Sequence, residues 1–218
     1  MKKVYLSVLS AIIALFFTTT ASAATGEGGV KLLTDTNYYG IQGYFTVPSD
    51  VFVSNDGSYI AFYFGLGDVC EGGISYTQSE QWKKFLNCGK QNPASNKSMP
   101  LASQPAAGEQ IHIKLVNNLN DTASLYINGV EAYTLPVQNA GSLKATTKVK
   151  MVHTTQDNQD KNRYKNAAFN NVQVQTSKGG PYTTFPTNIT PTFPFPSGKG
   201  DYEVVRSNPL ATTLKAGK

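Results

Sequence analysis

The chain has 218 residues, 40% of them hydrophobic, with 19 basic and 14 acidic side chains and a net charge of +5. Arginine occurs only at Arg163 and Arg206 and the lysines are scattered, so no basic stripe for nucleic acid forms, and no nucleic-acid partner is expected. Two cysteines and two distant histidines, His112 and His153, are too few for a zinc site, and no cofactor or metal is expected.

Lys2 and Lys3 precede an apolar run from Val4 to Phe17, and Ala21 and Ala23 follow as small residues. This order is that of a secretory signal peptide over 1–23. The run is shorter than the about 20 residues of a membrane span. Cleavage after Ala23 leaves 195 residues and a net charge of +3, with no membrane span in the mature chain. That length is within one domain. The expected destination is extracellular, where Cys70 and Cys88 pair as a disulfide.

Short apolar runs then alternate with Gly, Asn, Asp, Ser and Pro, a pattern of strands and turns. "YYGIQGYFTVPS" (38–49) is a strand ended by Pro48, whose ring nitrogen cannot donate to a ladder. "YIAFYFGL" (59–66) and "CEGGISYT" (70–77) pair as a hairpin. "SEQWKKFLNC" (79–88) fits a helical turn or a strand, and a strand places Trp82 inward. Residues 89–108 form a polar loop. In "EQIHIKLVNNLNDTASLYINGVEAYTL", Ile111, Ile113 and Leu115 share one face, answered by Leu125 and Ile127. "TKVKMVHTT" and "AFNNVQVQT" are two further strands. "NLND" and "DNQD" lack the spacing of a calcium loop and are turns.

Residues 24–178 form the sandwich domain. From 179 to 218 the chain is Pro/Phe-rich and extended. Phe185, Phe193 and Phe195 pack back on the sandwich, "DYEVVRS" adds a last strand, and the tail from Ala211 is loose. The expected fold is all-β, an antiparallel two-sheet sandwich or jelly roll.

"IHIKLVNNLNDTASLYINGVEAY" and "KMVHTT…YKNAAFNNVQVQ" resemble the paired and closing strands of the concanavalin A-like lectin/glucanase jelly roll. The resemblance implies that fold. "IQGYFTVPS", "YIAFYFGLGD", "CEGGISY" and "QWKKF" follow the order of segments in the eqolisin-type glutamic peptidases. Glu71 stands where that family has its catalytic Gln, and no Glu-Trp pair follows, so the dyad is not built as that family builds it. The layout is also similar to secreted bacillus proteins of the YrpD type, which share a glycine-rich strand pair and a Trp-Lys segment.

Alternation puts Tyr59 and Tyr63, Glu71 and Ser75, Lys114 and Tyr126, and Gln173 on the outer side of their strands, with His112. Rings offer flat apolar area, while amides and carboxylates offer directed hydrogen bonds. Sugar rings need both. The expected partner is a glycan or cell-wall polymer bound by one sheet face. The alternative is an atypical hydrolase or lyase using Glu71. A glycosidase needs two carboxylates roughly 5–9.5 Å apart, and no strand carries such a pair. A third reading makes the C-terminal segment a protein-docking element.

Overall fold

Alternation of the large side chains in the strongest runs is what the fold is built from. In "YIAFYFGL", Ile60, Phe62, Phe64 and Leu66 are fully buried, while Tyr59 and Tyr63 keep part of their surface. A pleated strand sends successive side chains to opposite faces, so such a segment covers a core on one side only. The structure, a computed structural model, describes residues 26–89, 91–194 and 201–216. The signal peptide over 1–23 and Phe195 lie outside the described residues.

The strands are β1 (Gly26–Tyr38), β2 (Gly40–Thr46), β3 (Ser49–Phe52), β4 (Tyr59–Leu66), β5 (Cys70–Thr77), β6 (Gln81–Asn87), β7 (Asn96–Pro100) and β8 (Gln110–Asn117). There follow β9 (Thr122–Ile127), β10 (Val130–Pro136), β11 (Thr147–Asp157), β12 (Arg163–Gln175), β13 (Tyr182–Thr184), β14 (Tyr202–Arg206) and β15 (Ala211–Leu214). Among the described residues they make two antiparallel sheets. The six-stranded sheet runs β1-β11-β4-β5-β6-β7. The nine-stranded sheet runs β10-β9-β8-β2-β12-β15-β14, with β3 and β13 also on β12. The all-β jelly-roll sandwich expected from the sequence is the fold. No helix among the described residues is long and apolar enough to cross a membrane.

The core lies between the sheets. Phe62 of β4 stacks on Phe45 of β2 at 4.6 Å, and Phe64 stacks on Phe169 of β12 at 4.7 Å. Trp82 of β6 is buried beside Phe45 and Phe62, so the segment forms a strand over Gln81–Asn87 with its indole inward. Gly72 makes room for the facing sheet. A Cβ there would meet the methyls of Leu86, Leu125 and Leu115 at 3.1–3.3 Å.

Several segments differ from the sequence reading. Residues 26–37 carry too many glycines and polar residues to read as a strand, yet they pair along β11 as the edge of the six-stranded sheet. The loop placed at 89–108 contains β7, which pairs Asn96 with Asn87 and Ser98 with Phe85. All of β7 is exposed, so no hydrophobic alternation betrays it. The tail from Ala211 is not loose. β15 pairs with β12 and β14, and Ala211, Thr212 and Leu214 are buried. Phe185 is in the core, and Phe193 packs against it.

Cys70 and Cys88 are joined, both buried, with a separation of 18 residues. Closing a loop of that size restricts the unfolded chain and stabilises the fold by about 3 kcal/mol. Replacing both by serine is expected to lower the thermal midpoint by about 6–12 °C. A calorimetric scan of the two proteins checks this, and equal midpoints would show that the bridge does not stabilise the fold.

Candidate functional site

The outer face of the six-stranded sheet is laid out in rows across the strands. One row is Val152, Tyr63, Gly73, Phe85 and Ser98. The next is Lys150, Gly65, Glu71, Asn87 and Asn96. Each row has a glycine at a central strand, and each glycine is used.

Gly73 sits between Tyr63 and Phe85. Strands two apart are separated by about 9.6 Å. The two rings nevertheless meet edge to face at 5.8 Å, so they lean together above the glycine. A Cβ at Gly73 would lie 2.3 Å from the Phe62 carbonyl oxygen and 2.7 Å from Tyr63 Cα. No other residue fits there without moving the central strand pair.

Gly65 sits between Lys150 and Glu71. The lysine stem lies flat across it, where a Cβ would be 2.4 Å from Cε and 2.7 Å from Cγ. This path delivers the Lys150 ammonium to Glu71 Oε1 at 2.7 Å and to Asp68 Oδ1 at 2.8 Å. The Lys150 side chain is 5% exposed, that of Glu71 29% and that of Asp68 87%. Burial alone pushes the Lys150 ammonium down, but Glu71 and Asp68 outweigh it, and its pKa is raised. The hydrogen bond from Lys150 lowers the Asp68 pKa. The acid set between a cysteine and two glycines therefore has a partner 79 residues away in sequence.

Tyr59, Tyr63 and Phe85 line an open groove of about 330 Å³, with Glu71 at one end. Ser75, Lys83, Asn87, Asn96 and Ser98 contribute its polar rim. Lys83 is itself paired with Glu80. Burial, with Glu71 second, raises the Tyr63 pKa. Burial, Glu27 and Glu71 do the same for Tyr59. Both phenols stay neutral donors over the ordinary pH range.

The groove also contains Glu27. It pairs in register with Gln156 at the start of β1, six residues along the strand direction from the Lys150 row. At the rise of an antiparallel strand that offset is about 20 Å, beyond a glycosidase pair. Asp68 and Glu71 share the one Lys150 ammonium. Among the described residues no group of three or more His, Cys, Asp or Glu stands together to hold a metal.

The structure divides the sequence candidates between two faces. Tyr59, Tyr63, Glu71 and Ser75 line this groove. Lys114, Tyr126 and Gln173 lie on the outer side of the nine-stranded sheet, across the whole sandwich. Alternation tells inside from outside, but it does not tell which sheet a strand joins. There, the Lys114 ammonium sits 4.1 Å above the Tyr126 ring, and Gln42 donates to Gln173 at 2.9 Å. His112 packs on Tyr44 at 5.0 Å, and burial followed by Lys114 lowers its pKa. Sequence reasoning missed Phe85, Asn87, Asn96, Ser98 and Lys150 as site residues. Phe85 had a signal, since it follows Trp82 at an odd spacing and so faces away from it. Lys150 had none, because its pairing is long-range.

No protein-family model matches the sequence, and no curated protein sequence matches it. Solved structures share its fold. A Scytalido-glutamic peptidase with a peptide-based transition-state analogue superposes with a TM-score of 0.55 at 11% identity, over 88% of this chain and 98% of that one. SCP-B, a member of the eqolisin family of peptidases in complex with the tripeptide Ala-Ile-His, gives 0.54 at 11% identity with the same coverage. A Bacteroides ovatus family 16 glycoside hydrolase in complex with a glucan product reaches 0.38 at 13% identity, over 59% of this chain and 65% of that one, too slight a likeness to bear on function. Identities this low establish the two-sheet fold and nothing about activity.

Proposed function

We propose that this chain is a secreted, extracellular β-sandwich that binds a carbohydrate or cell-envelope polymer along the outer face of its six-stranded sheet. The observation that carries the reading is the convergence of Tyr63 and Phe85 above Gly73, in one groove with Tyr59 and a rim of amides and hydroxyls. Aromatic faces supply apolar area for the C–H faces of a sugar ring, and the rim groups supply directed hydrogen bonds. The Glu71–Lys150 pair adds fixed polarity at one end. The likeness in layout to YrpD-type proteins adds no activity to this reading.

The test is an array of neutral and acidic polysaccharides, followed by calorimetric titration with the best oligosaccharide. Tyr63→Ala and Phe85→Ala are each expected to weaken binding about tenfold, the equivalent of about 1.4 kcal/mol. No glycan retained above background, or unchanged affinity in both variants, overturns the proposal.

A second reading, an atypical hydrolase directed at polysaccharide or peptide, is favoured by one observation. Glu71 lies in the groove with an ammonium against it, on a fold shared with glutamic peptidases. It predicts cleavage that Glu71→Gln abolishes while the chain stays folded, with a lowered thermal midpoint because the buried Lys150 ammonium keeps only Asp68 as a carboxylate partner. Cleavage that survives Glu71→Gln excludes this role.

A further inference from the structure

The face opposite the groove carries a hollow of its own. It holds about 340 Å³, within the range of small-ligand sites, and is lined by Tyr39, Tyr126, Tyr182, Lys114, Lys178 and Gln175. Val116 of β8 and Gln175 of β12, which flank Gly40 of β2, are among its lining residues. A Cβ on Gly40 would meet the Leu115 carbonyl oxygen at 2.8 Å and the Tyr182 hydroxyl at 3.2 Å. The glycine thus lets Tyr182 lean inward over the sheet. Along the next row stand Lys114, Gln42 and Gln173.

The charge here differs from that of the first groove. There the buried ammonium of Lys150 is met by two carboxylates. Here Lys114 and Lys178 have no salt-bridge partner among the described residues, and no acid lines the hollow. Lys114 lies on the Tyr126 ring, which orients its ammonium without neutralising it. The nearby Glu131 accepts from the Tyr126 hydroxyl at 3.3 Å and from Thr134 at 2.9 Å, outside the hollow.

We propose that this face is a second, independent binding site for an anionic saccharide, seated among the three tyrosines and held at its carboxylates by Lys114 and Lys178. The rings take the sugar faces, and the unpaired cations select acidic sugars over neutral ones. The first groove takes its ligand without that selection.

The test titrates the mature, isotope-labelled protein with tetragalacturonate and, separately, with neutral cellotetraose, at low salt, following backbone amide signals. Tetragalacturonate is expected to give saturable shifts at Gly40, Lys114, Tyr126 and Tyr182, and cellotetraose none at these positions. Lys114→Gln is expected to weaken binding about fivefold, and Lys114→Gln with Lys178→Gln about twentyfold. Tyr63→Ala leaves this affinity unchanged, which separates this site from the first groove. Absence of shifts on this face, equal binding of cellotetraose there, or full affinity in the lysine variants overturns the proposal. Loss of the shifts in Tyr63→Ala also overturns it, since the acidic sugar then belongs to the first groove.

Discussion

Acidification from pH 8 to pH 4 is expected to cost the folded protein about 3 kcal/mol through His153 alone. His153 is on the inward side of β11 and has no exposed surface. Its ring lies 4.9 Å from Phe62 and 5.0 Å from Phe169, and Nδ1 shares a hydrogen bond of 2.7 Å with the Thr212 hydroxyl. That hydroxyl in turn meets Tyr164 Oη at 2.7 Å. No carboxylate touches the ring among these contacts, and Nε2 is buried with no partner among the described residues. Burial therefore pushes the imidazole down to about 3.

The sign follows from which state takes the proton. The unfolded chain protonates near pH 6.5, whereas the folded chain resists until about 3. Stability is therefore full above pH 6.5 and is lost as pH falls towards 3, by about 4–5 kcal/mol in all. Asp56, Asp68 and Asp121, whose pKa values are lowered mainly by their hydrogen bonds, add losses of their own at the acid end. The measurement is denaturant unfolding of the wild type and of His153→Gln at pH 8, 6, 5 and 4. The variant should start less stable and decline far less between pH 6.5 and 4. Parallel curves would show that the imidazole is not held neutral by the core.

Phe62→Ala is expected to cost about 3–5 kcal/mol, among the largest effects of any single truncation here. Phe62 comes from the six-stranded sheet and stacks on Phe45 of the other sheet, 22° from parallel. It also presents edges to His153 and to Tyr164, with ring centroids at 4.9 and 5.1 Å. Deleting the ring leaves a cavity bounded by aromatic groups anchored on both sheets, which cannot all close in. The thermal midpoint should fall by about 8–15 °C. Phe62→Leu, which refills much of the space, should cost well under half as much. A loss below about 1 kcal/mol for Phe62→Ala would mean that the sheets are not clamped at this ring. Because Tyr63 points the other way, glycan affinity measured well below the midpoint should change little.

Glu71 shows how far the linear pattern reaches. Its place on the side of the strand opposite Cys70, Gly72 and Ile74 was legible, because the pleat has a period of two residues. Its partner was not. Lys150 reaches it across Gly65 only because β4 pairs with β11, and that pairing joins segments some 80 residues apart. The same limit explains the divided candidate face. Tyr63 and Gln173 both alternate outward, yet β4 and β12 belong to different sheets, so the two side chains lie on opposite sides of the molecule. β7 went unread because an exposed edge strand has no buried face to write a period into the sequence.

The sequence by itself determined the all-β class, the inward set of β4, β5 and β8, the cysteine pair and the outward turn of Tyr59, Tyr63, Glu71 and Ser75. All of these follow from local patterning, because burying one face of a pleated strand demands alternation along it. The tertiary structure alone decided which strands share a sheet, and with it the meeting of Tyr63 with Phe85 above Gly73, the pairing of Glu71 with Lys150 across Gly65, and the placing of Lys114 and Tyr126 on the far side. Those depend on the order of strands across each sheet, which packing selects and which no periodicity along the chain records.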